Sequence, residues 1–101
     1  MKKRLVRFTA TAQLHLAREK AWWLSHRDYL EVFGAELAQA IDVIALLPGA
    51  GAGYVQSPVP GVRPVYLRRV DLHLYYTFDD QEVTVRALWG ARRGHGPDLK
   101  D

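Results

Sequence analysis

Cysteine is absent from this chain of 101 residues. Its absence excludes disulfide scaffolds, thiolate zinc sites and cysteine nucleophiles. No two of the four histidines are three or four residues apart, as two metal ligands on one helix face would have to be. We therefore expect no metal site and no other cofactor.

Long apolar runs are missing as well. No window approaches the roughly 18 consecutive apolar residues of a membrane span. The basic start returns to charge at Arg7 before a signal-peptide core is formed. We therefore expect a cytoplasmic protein without a membrane partner. About half of the residues are apolar, which suits a single domain over residues 1–101.

Charge is unevenly distributed, although the net value is only +3. Acidic residues are concentrated in residues 28–42, which contain two Asp and two Glu. This asymmetry is typical of a protein that meets an anionic partner or is neutralised by an acidic protein, and a solvated surface of mixed charge is the alternative. The basic residues of the C-terminal half are mainly arginines: Arg63, Arg68, Arg69, Arg86, Arg92 and Arg93.

Hydrophobic periodicity predicts a strand followed by two helices. Residues 4–9 are β-rich and alternate, as a strand does. A helix over residues 10–26 follows, with Thr9 or Thr11 as its N-cap. A second helix begins at an N-cap at Asp28 and ends at Pro48. The apolar repeats of the two helices are Leu14, Ala17, Ala21 and Leu24, and Leu30, Phe33, Leu37, Ile41, Ile44 and Leu47.

The second half predicts three strands after a loop rich in Gly and Pro. The strands cover residues 62–70, 72–78 and 83–89, with a turn at 79–81. In the last of them, the side chains of Val83, Val85, Ala87 and Trp89 are expected on one face, opposite Arg86. The tail from Gly94 has no periodicity and is expected to be exposed. The result is an α+β domain with an antiparallel helix pair on one face of an antiparallel meander.

No catalytic motif is present, and we assign no catalytic residue. There is no Gly-x-Ser-x-Gly elbow and no dinucleotide fingerprint. Asp79, Asp80 and Glu82 cluster where a turn is expected, and turn chemistry explains them better than acid–base catalysis. Arginines on adjacent strands are expected to gather on one sheet face, where guanidinium groups bind phosphates or carboxylates. The alternative is an open sheet face kept in solution by charge.

Several ordered segments resemble the RelE/ParE superfamily of bacterial toxins, and in particular the ParE-like plasmid stabilization branch. They are VRFT at 6–9, the apolar repeat of the second helix, PGVR at 60–63, LHLYY at 72–76, and ALWGARRG at 87–94 followed by Gly96 and Pro97. The resemblance covers nearly the whole chain. It implies one N-terminal strand, a helical hairpin and a three-stranded meander, which agrees with the periodicity.

The resemblance implies the toxin of a type II toxin–antitoxin module that is held inactive in a hetero-oligomer with its cognate antitoxin. ParE-type toxins bind DNA gyrase, stop replication and arrest growth. RelE-type toxins cut mRNA in the ribosomal A site and place an arginine where this chain has His73 and a tyrosine near Asp98. The tail of this chain offers cations but no tyrosine for RNA cleavage. These departures favour the ParE mechanism.

Two alternatives stay open. A RelE-like nuclease would use Arg86, Arg92 and His95, of which Arg92 matches a nuclease arginine position. A non-toxic antitoxin-binding or co-repressor module would use the same fold without a target. Gly90 replaces a histidine that many relatives of the ParE-like branch carry, so the toxin is either attenuated or uses His95 in its place.

The residues that we expect at the two interfaces form two groups. Target binding is expected at Arg86, Arg92, Arg93, Tyr75 and Trp89. Antitoxin binding is expected at Arg63, Arg68, Arg69, Leu30 and Phe33.

Overall fold

The computed structural model describes residues 2–50, 59–91, 96, 97 and 99, with backbone alone for residues 27–29. Its elements follow the predicted order and confirm the α+β fold. The four strands form one sheet in the order β1-β4-β3-β2, in which β2, β3 and β4 are the predicted antiparallel meander. The elements are β1 (Leu5–Phe8), α1 (Ala10–Leu24), α2 (Arg27–Leu46), β2 (Arg63–Leu67), β3 (Leu72–Phe78) and β4 (Glu82–Gly90).

The N-terminal strand completes the sheet on the far side of β4. β1 runs parallel to β4, from the pair Leu5 and Glu82 to the pair Phe8 and Val85. Parallel neighbours need a long crossover connection, which the helix pair and the rest of the meander supply. None of the helices within residues 2–50 and 59–91 has both the length and the hydropathy to cross a membrane.

Helix α1 begins where it was predicted but turns an unexpected side to the sheet. The Thr9 hydroxyl accepts a hydrogen bond from the Ala12 backbone N–H at 3.1 Å, which confirms Thr9 as the N-cap. The buried residues of α1 are Ala12, His15 and Trp23. The apolar repeat that predicted the helix faces solvent instead, with Leu14 53% and Leu24 62% exposed.

Helix α2 has the predicted apolar face but a different start. It begins at Arg27, with His26 in the N-cap position and no side-chain cap. The N-cap prediction for Asp28 is therefore wrong, because the break between the helices is only two residues long and Asp28 already lies within α2. The buried members of the predicted repeat are Phe33, Leu37 and Ile44.

Strand β2 is shorter than predicted and ends at Leu67. Residues 68–71 form a turn, so Arg68 and Arg69 are not on the strand. Asp71 has a positive φ of 54°, a conformation that Asp tolerates better than most residues. Its carboxylate accepts a hydrogen bond from the Tyr66 hydroxyl at 2.7 Å, which holds the turn in place. Pro64 is acceptable in β2 because this is an edge strand.

A β-bulge in β4 changes which side chains share a face. Tyr75 pairs with Ala87 while the next residue, Tyr76, pairs with Val85, so Arg86 is the extra residue. The predicted common face of Val83, Val85, Ala87 and Trp89 is therefore wrong. Val83, Val85 and Leu88 pack in the core beneath the helices, whereas Ala87 and Trp89 belong to a cluster on the other face of the sheet.

This second cluster includes a residue of the tail. Leu99 is 2% exposed and packs with Val62, Tyr75 and Ala87. The prediction of an exposed tail is therefore wrong at Leu99, because a single apolar side chain reaches the sheet without any periodicity around it. Leu99 thus covers part of the sheet face that the helices leave open.

Tyr76 connects the sheet to the end of α2. Its hydroxyl donates a hydrogen bond to the Pro48 carbonyl at 2.7 Å. Burial raises the pKa of Tyr76, and the nearby positive charge of Arg63 opposes this only in part. The phenol therefore stays protonated and able to donate wherever the protein is folded at ordinary pH.

Asp79 closes the turn between β3 and β4 and makes stability depend on pH. Its carboxylate accepts hydrogen bonds from the backbone N–H groups of Gln81 at 2.8 Å and Glu82 at 2.9 Å. These bonds, followed by the positive charges of Arg4 and Arg7, lower the pKa of Asp79. The stabilisation is therefore complete above the ordinary pKa of an aspartate and is lost as pH falls through the lowered value.

We expect Asp79→Asn to lower the free energy of unfolding at neutral pH. The difference between the variant and the parent should become smaller as the pH is lowered towards about pH 2. Denaturant unfolding of the variant and the parent at both pH values measures this difference. Asp80→Asn is the matched control, because the Asp80 side chain has no hydrogen bond among the described residues. A difference between Asp79→Asn and the parent that is the same at both pH values would contradict the prediction.

Candidate functional site

An apolar groove separates the C-terminal half of α1 from the N-terminal half of α2. Its volume is about 450 Å³. Leu30, one of the residues expected to bind the antitoxin, is half-buried in its wall. Open apolar grooves of this size are typical docking sites for partner segments. The groove is lined by Lys20, Ala21, Leu24, Leu30, Phe33, Gly34 and Leu37.

Phe33, also expected at the antitoxin interface, forms the floor of this groove. Its side chain is 1% exposed, so it supports the groove from the core more than it presents a surface. The ring lies parallel to that of Trp23, with centroids 6.1 Å apart and an angle of 8°. Trp23 in turn donates its indole N–H to Glu19 at 3.2 Å. The ring contact joins the two helices, and the hydrogen bond within α1 holds the Trp23 indole in place for it.

Gly34 lines the groove and lies in the interior of helix α2. A Cβ atom at Gly34 would meet nothing within 4 Å, and glycine inside a helix is about 1 kcal/mol less favourable than alanine. We expect Gly34→Ala to raise the midpoint of thermal unfolding by about 4–8 °C. Calorimetry measures this shift, and Ala35→Gly, one residue along the exposed side of α2, should lower the midpoint by a similar amount. An unchanged or lower midpoint for Gly34→Ala would contradict the prediction.

A second groove, of about 240 Å³, runs between α2 and the edge strand β2. Arg68 lines it, together with Tyr66 and Val43. Arg69 is next to Arg68 and lies 3.8 Å from the Glu36 carboxylate of α2. The outer edge of β2 has no strand beside it in the described sheet, so its backbone N–H and C=O groups can receive a partner strand.

The predicted arginines do not gather on one sheet face. Arg69 lies towards α2. Arg63 is at the other end of β2, over the Phe78 ring at 5.9 Å, about 17 Å from Arg68 by the rise of a strand. Arg86 donates from Nε to the Thr77 hydroxyl at 2.9 Å, on the side of the sheet away from the helices. The expectation of a single arginine face is therefore wrong, because β2 ends before Arg68 and Arg69 and because Arg63 lies at the opposite end of this strand.

The sheet face away from the helices carries a row of aromatic residues. His73 is paired with Tyr66 on one side and Trp89 on the other, so the three side chains point the same way. The Tyr66 and His73 rings are 5.2 Å apart. Tyr75, expected to bind the target, lies in the next row and is only 7% exposed because the cluster with Leu99 covers it. Trp89, expected in the same role, is half-buried.

The sequence patterns did not reveal the role of His15. Its Nδ1 accepts the Leu88 backbone N–H at 3.2 Å, and its ring lies 5.4 Å from that of Trp89. The pairing of β1 with β4 ends at Val85, so β1 does not reach the backbone N–H of Leu88. His15 accepts this N–H in place of a strand. Only the register of β1 could have indicated this role, since His15 looks like an ordinary polar residue in the helical pattern.

The remaining predicted residues, Arg92, Arg93 and His95, lie outside the described residues. β4 ends at Gly90, which precedes them by two residues or more. The backbone N–H of Ala91 donates to the Asp71 carbonyl at 3.0 Å, which fixes where the chain leaves the sheet.

The folded architecture defines a class: a helical hairpin on one face of a four-stranded sheet made of a meander and an N-terminal strand. No protein-family model matches the chain, and no curated protein sequence matches it. A solved structure described as the chromosomal ParDE TA system from P. aeruginosa does match, with a TM-score of 0.70. The match covers 89% of this chain and 98% of the other, at 16% sequence identity. The chain therefore has the ParE-like α+β fold of this ParDE structure.

Proposed function

We propose that the protein is the toxin of a type II toxin–antitoxin module, that its target is DNA gyrase, and that it acts in the cytoplasm. The observation that carries this proposal is the fold match to a ParDE system over 89% of the chain. The ordered motifs of the sequence support the same assignment independently. Because one fold can serve several functions, the target has to be argued from residues.

Two grooves, and an edge of β2 that has no strand beside it among the described residues, support binding to an antitoxin. The groove beside Leu30 offers an apolar surface, and the edge of β2 offers backbone hydrogen bonds next to Arg68 and Arg69. A segment that folds on binding can use both modes, as an amphipathic helix and as an added strand. Exposed arginines at the strand end would attract acidic residues of such a segment.

The residues of the aromatic face support gyrase more than the ribosome as the target. His73 stands where the nuclease branch has an arginine, and it packs between the rings of Tyr66 and Tyr75. The Nε of Arg86 is engaged by Thr77. The guanidinium of Arg86 stays protonated, so it cannot act as the general base that RNA cleavage requires. A surface that binds a target protein needs no such group.

Supercoiling of relaxed plasmid by purified gyrase tests the proposal. We expect the purified protein to inhibit supercoiling in a concentration-dependent way, and heat-unfolded protein to have no effect. A parallel reaction supplies programmed ribosomes with mRNA. Cleavage there without gyrase inhibition would support the RelE-like nuclease instead. Inactivity in both assays, from a protein that still binds the antitoxin, would support the non-toxic module.

A further inference from the structure

The outer edge of β4 changes its neighbour where β1 ends. β1 pairs with β4 only as far as Val85. Beyond that residue, helix α1 supplies hydrogen-bonding groups in place of a strand. The Thr9 hydroxyl donates to the Arg86 carbonyl at 3.4 Å, and further along the helix His15 accepts the Leu88 N–H at 3.2 Å. Two side chains of α1 therefore cover the part of this edge that β1 does not reach.

The hydrogen bond from Leu88 determines the charge of His15. A backbone N–H can only donate, so Nδ1 has to be the unprotonated ring nitrogen, and the neutral ring carries its proton on Nε2. A charged imidazolium carries hydrogen on both nitrogens and cannot accept this bond. His15 is also only 7% exposed, and burial disfavours a charged ring. Both effects favour the neutral form of His15 in the folded protein.

The charged groups beside His15 act in opposite directions. Arg18 and Glu19 of α1 line a cavity of about 30 Å³ next to the ring, and β4 contributes the apolar side chains of Leu88 and Trp89. The positive charge of Arg18 disfavours a second positive charge nearby, whereas the negative charge of Glu19 favours it. The Glu19 carboxylate, however, already accepts the Trp23 indole N–H. The hydrogen bond from Leu88 therefore decides the balance.

We propose that His15 is a pH-sensitive contact between α1 and the end of β4. A proton on Nδ1 turns the acceptor into a donor, so the Leu88 N–H loses its partner and the two groups separate, because a buried N–H without an acceptor is unfavourable. β3 still holds the other edge of β4, where Leu88 pairs with Leu74. Protonation therefore loosens the junction with α1 and the ring contact of His15 with Trp89, while the meander stays paired.

Amide hydrogen exchange at Leu88, followed by NMR, tests this contact directly. The measured quantity is the protection factor, which is corrected for the intrinsic effect of pH on exchange. We expect it to fall about tenfold in the parent protein between about pH 7.5 and about pH 5.5. The reason is that a histidine released from its contacts titrates near about pH 6.5, so about ten in eleven open molecules carry at pH 5.5 a proton that the closed form excludes.

His15→Asn separates the charge from the contact. The Asn amide oxygen takes nearly the position of Nδ1 and can accept the Leu88 N–H, but the amide does not titrate. Asn and His also have similar helix propensities. We expect this variant to keep nearly the same protection factor at both pH values. His15→Phe keeps a ring beside Trp89 without an acceptor, so its Leu88 amide should be weakly protected at both.

His26→Asn is the matched control, because it removes a histidine from the exposed N-cap position of α2. The fall in protection at Leu88 should persist in this variant. The pH range lies above the ordinary pKa of an aspartate, about 3.9, so the contact of Asp79 does not contribute to the fall.

Two results would overturn the proposal: equal protection of Leu88 at both pH values in the parent, or the same fall in His15→Asn as in the parent. The first needs no variant, so the proposal stays testable even if a substitution at His15 prevents folding. None of these measurements uses gyrase or an antitoxin. The pH-sensitive contact and the proposed function can therefore fail separately.

Discussion

Phe33→Ala is expected to lower the free energy of unfolding by about 3–5 kcal/mol, the range for losing a fully buried Phe. The side chain is 1% exposed and stacks on Trp23 between the two helices. Small domains have only about 5–15 kcal/mol of total stability. The variant should therefore lose about a fifth or more of its stability, measured by urea unfolding.

Leu30→Ala is the control for this variant. Leu30 lies in the same groove but is half-buried, so its truncation should lower stability by about 1–2 kcal/mol. If the groove binds the antitoxin, Leu30→Ala weakens that complex while the protein stays folded. A loss of less than about 1 kcal/mol for Phe33→Ala would mean that Trp23 and its neighbours refill the cavity.

The two helices show what an apolar repeat determines and what it leaves open. In α2 the repeat faces the core, and Phe33 and Ile44 are buried as predicted. In α1 the repeat predicted a helix correctly, yet its members face solvent. The inner side instead combines Ala12 and Trp23 with two polar residues: His15 accepts a backbone N–H, and Glu19 accepts the Trp23 indole N–H. A local pattern identifies a helix but does not reveal which side the sheet covers.

The sheet was predictable in its strands but not in its register. Alternation located β3 and β4 to within a residue or two. The bulge at Arg86 reverses the alternation of the residues that follow it. This could not be predicted, because a single extra residue is not recognisable in the sequence until the partner strand and its register are known. The parallel pairing of β1 with β4 is a contact across the whole chain, which no local pattern contains.

The candidate interfaces, like the sheet register, were predicted only in part, because local patterns do not reveal long-range contacts. Leu30 and Phe33 were predicted from the apolar repeat, and the structure brings them together in one groove. Arg63 and Arg68 were predicted as one basic surface, but they lie at opposite ends of the edge strand. Burial of Tyr75 by Leu99 depends on a tail residue about 24 positions away, without any repeat to indicate the contact.

Gyrase inhibition should be lost when Arg92 and Arg93 are both replaced by alanine, if these arginines contact the target as we propose. Losing a desolvated arginine contact at an interface typically weakens binding by about 2 kcal/mol or more, well over tenfold. Surface substitutions usually change stability by less than about 0.5 kcal/mol. The supercoiling assay and a melting curve of the double variant therefore separate lost contact from lost fold.

Arg68→Ala with Arg69→Ala is the matched control, since it removes two arginines at the other proposed interface. Both residues lie in the exposed turn after β2, and the 3.8 Å contact of Arg69 with Glu36 is a surface pair worth little to stability. This control should inhibit gyrase as the parent does but bind the antitoxin more weakly. The Arg92 and Arg93 variant should show the opposite pattern.

Lysine at positions 92 and 93 distinguishes charge from geometry. A planar guanidinium binds a carboxylate through two parallel hydrogen bonds, which an ammonium group cannot reproduce. Little recovery with Arg92→Lys and Arg93→Lys would mean a bidentate contact, and near-complete recovery would mean that positive charge alone suffices. Full inhibition by the double-alanine variant would contradict the assignment of both arginines and leave Arg86, already held by Thr77 on the sheet face, as the next residue to replace.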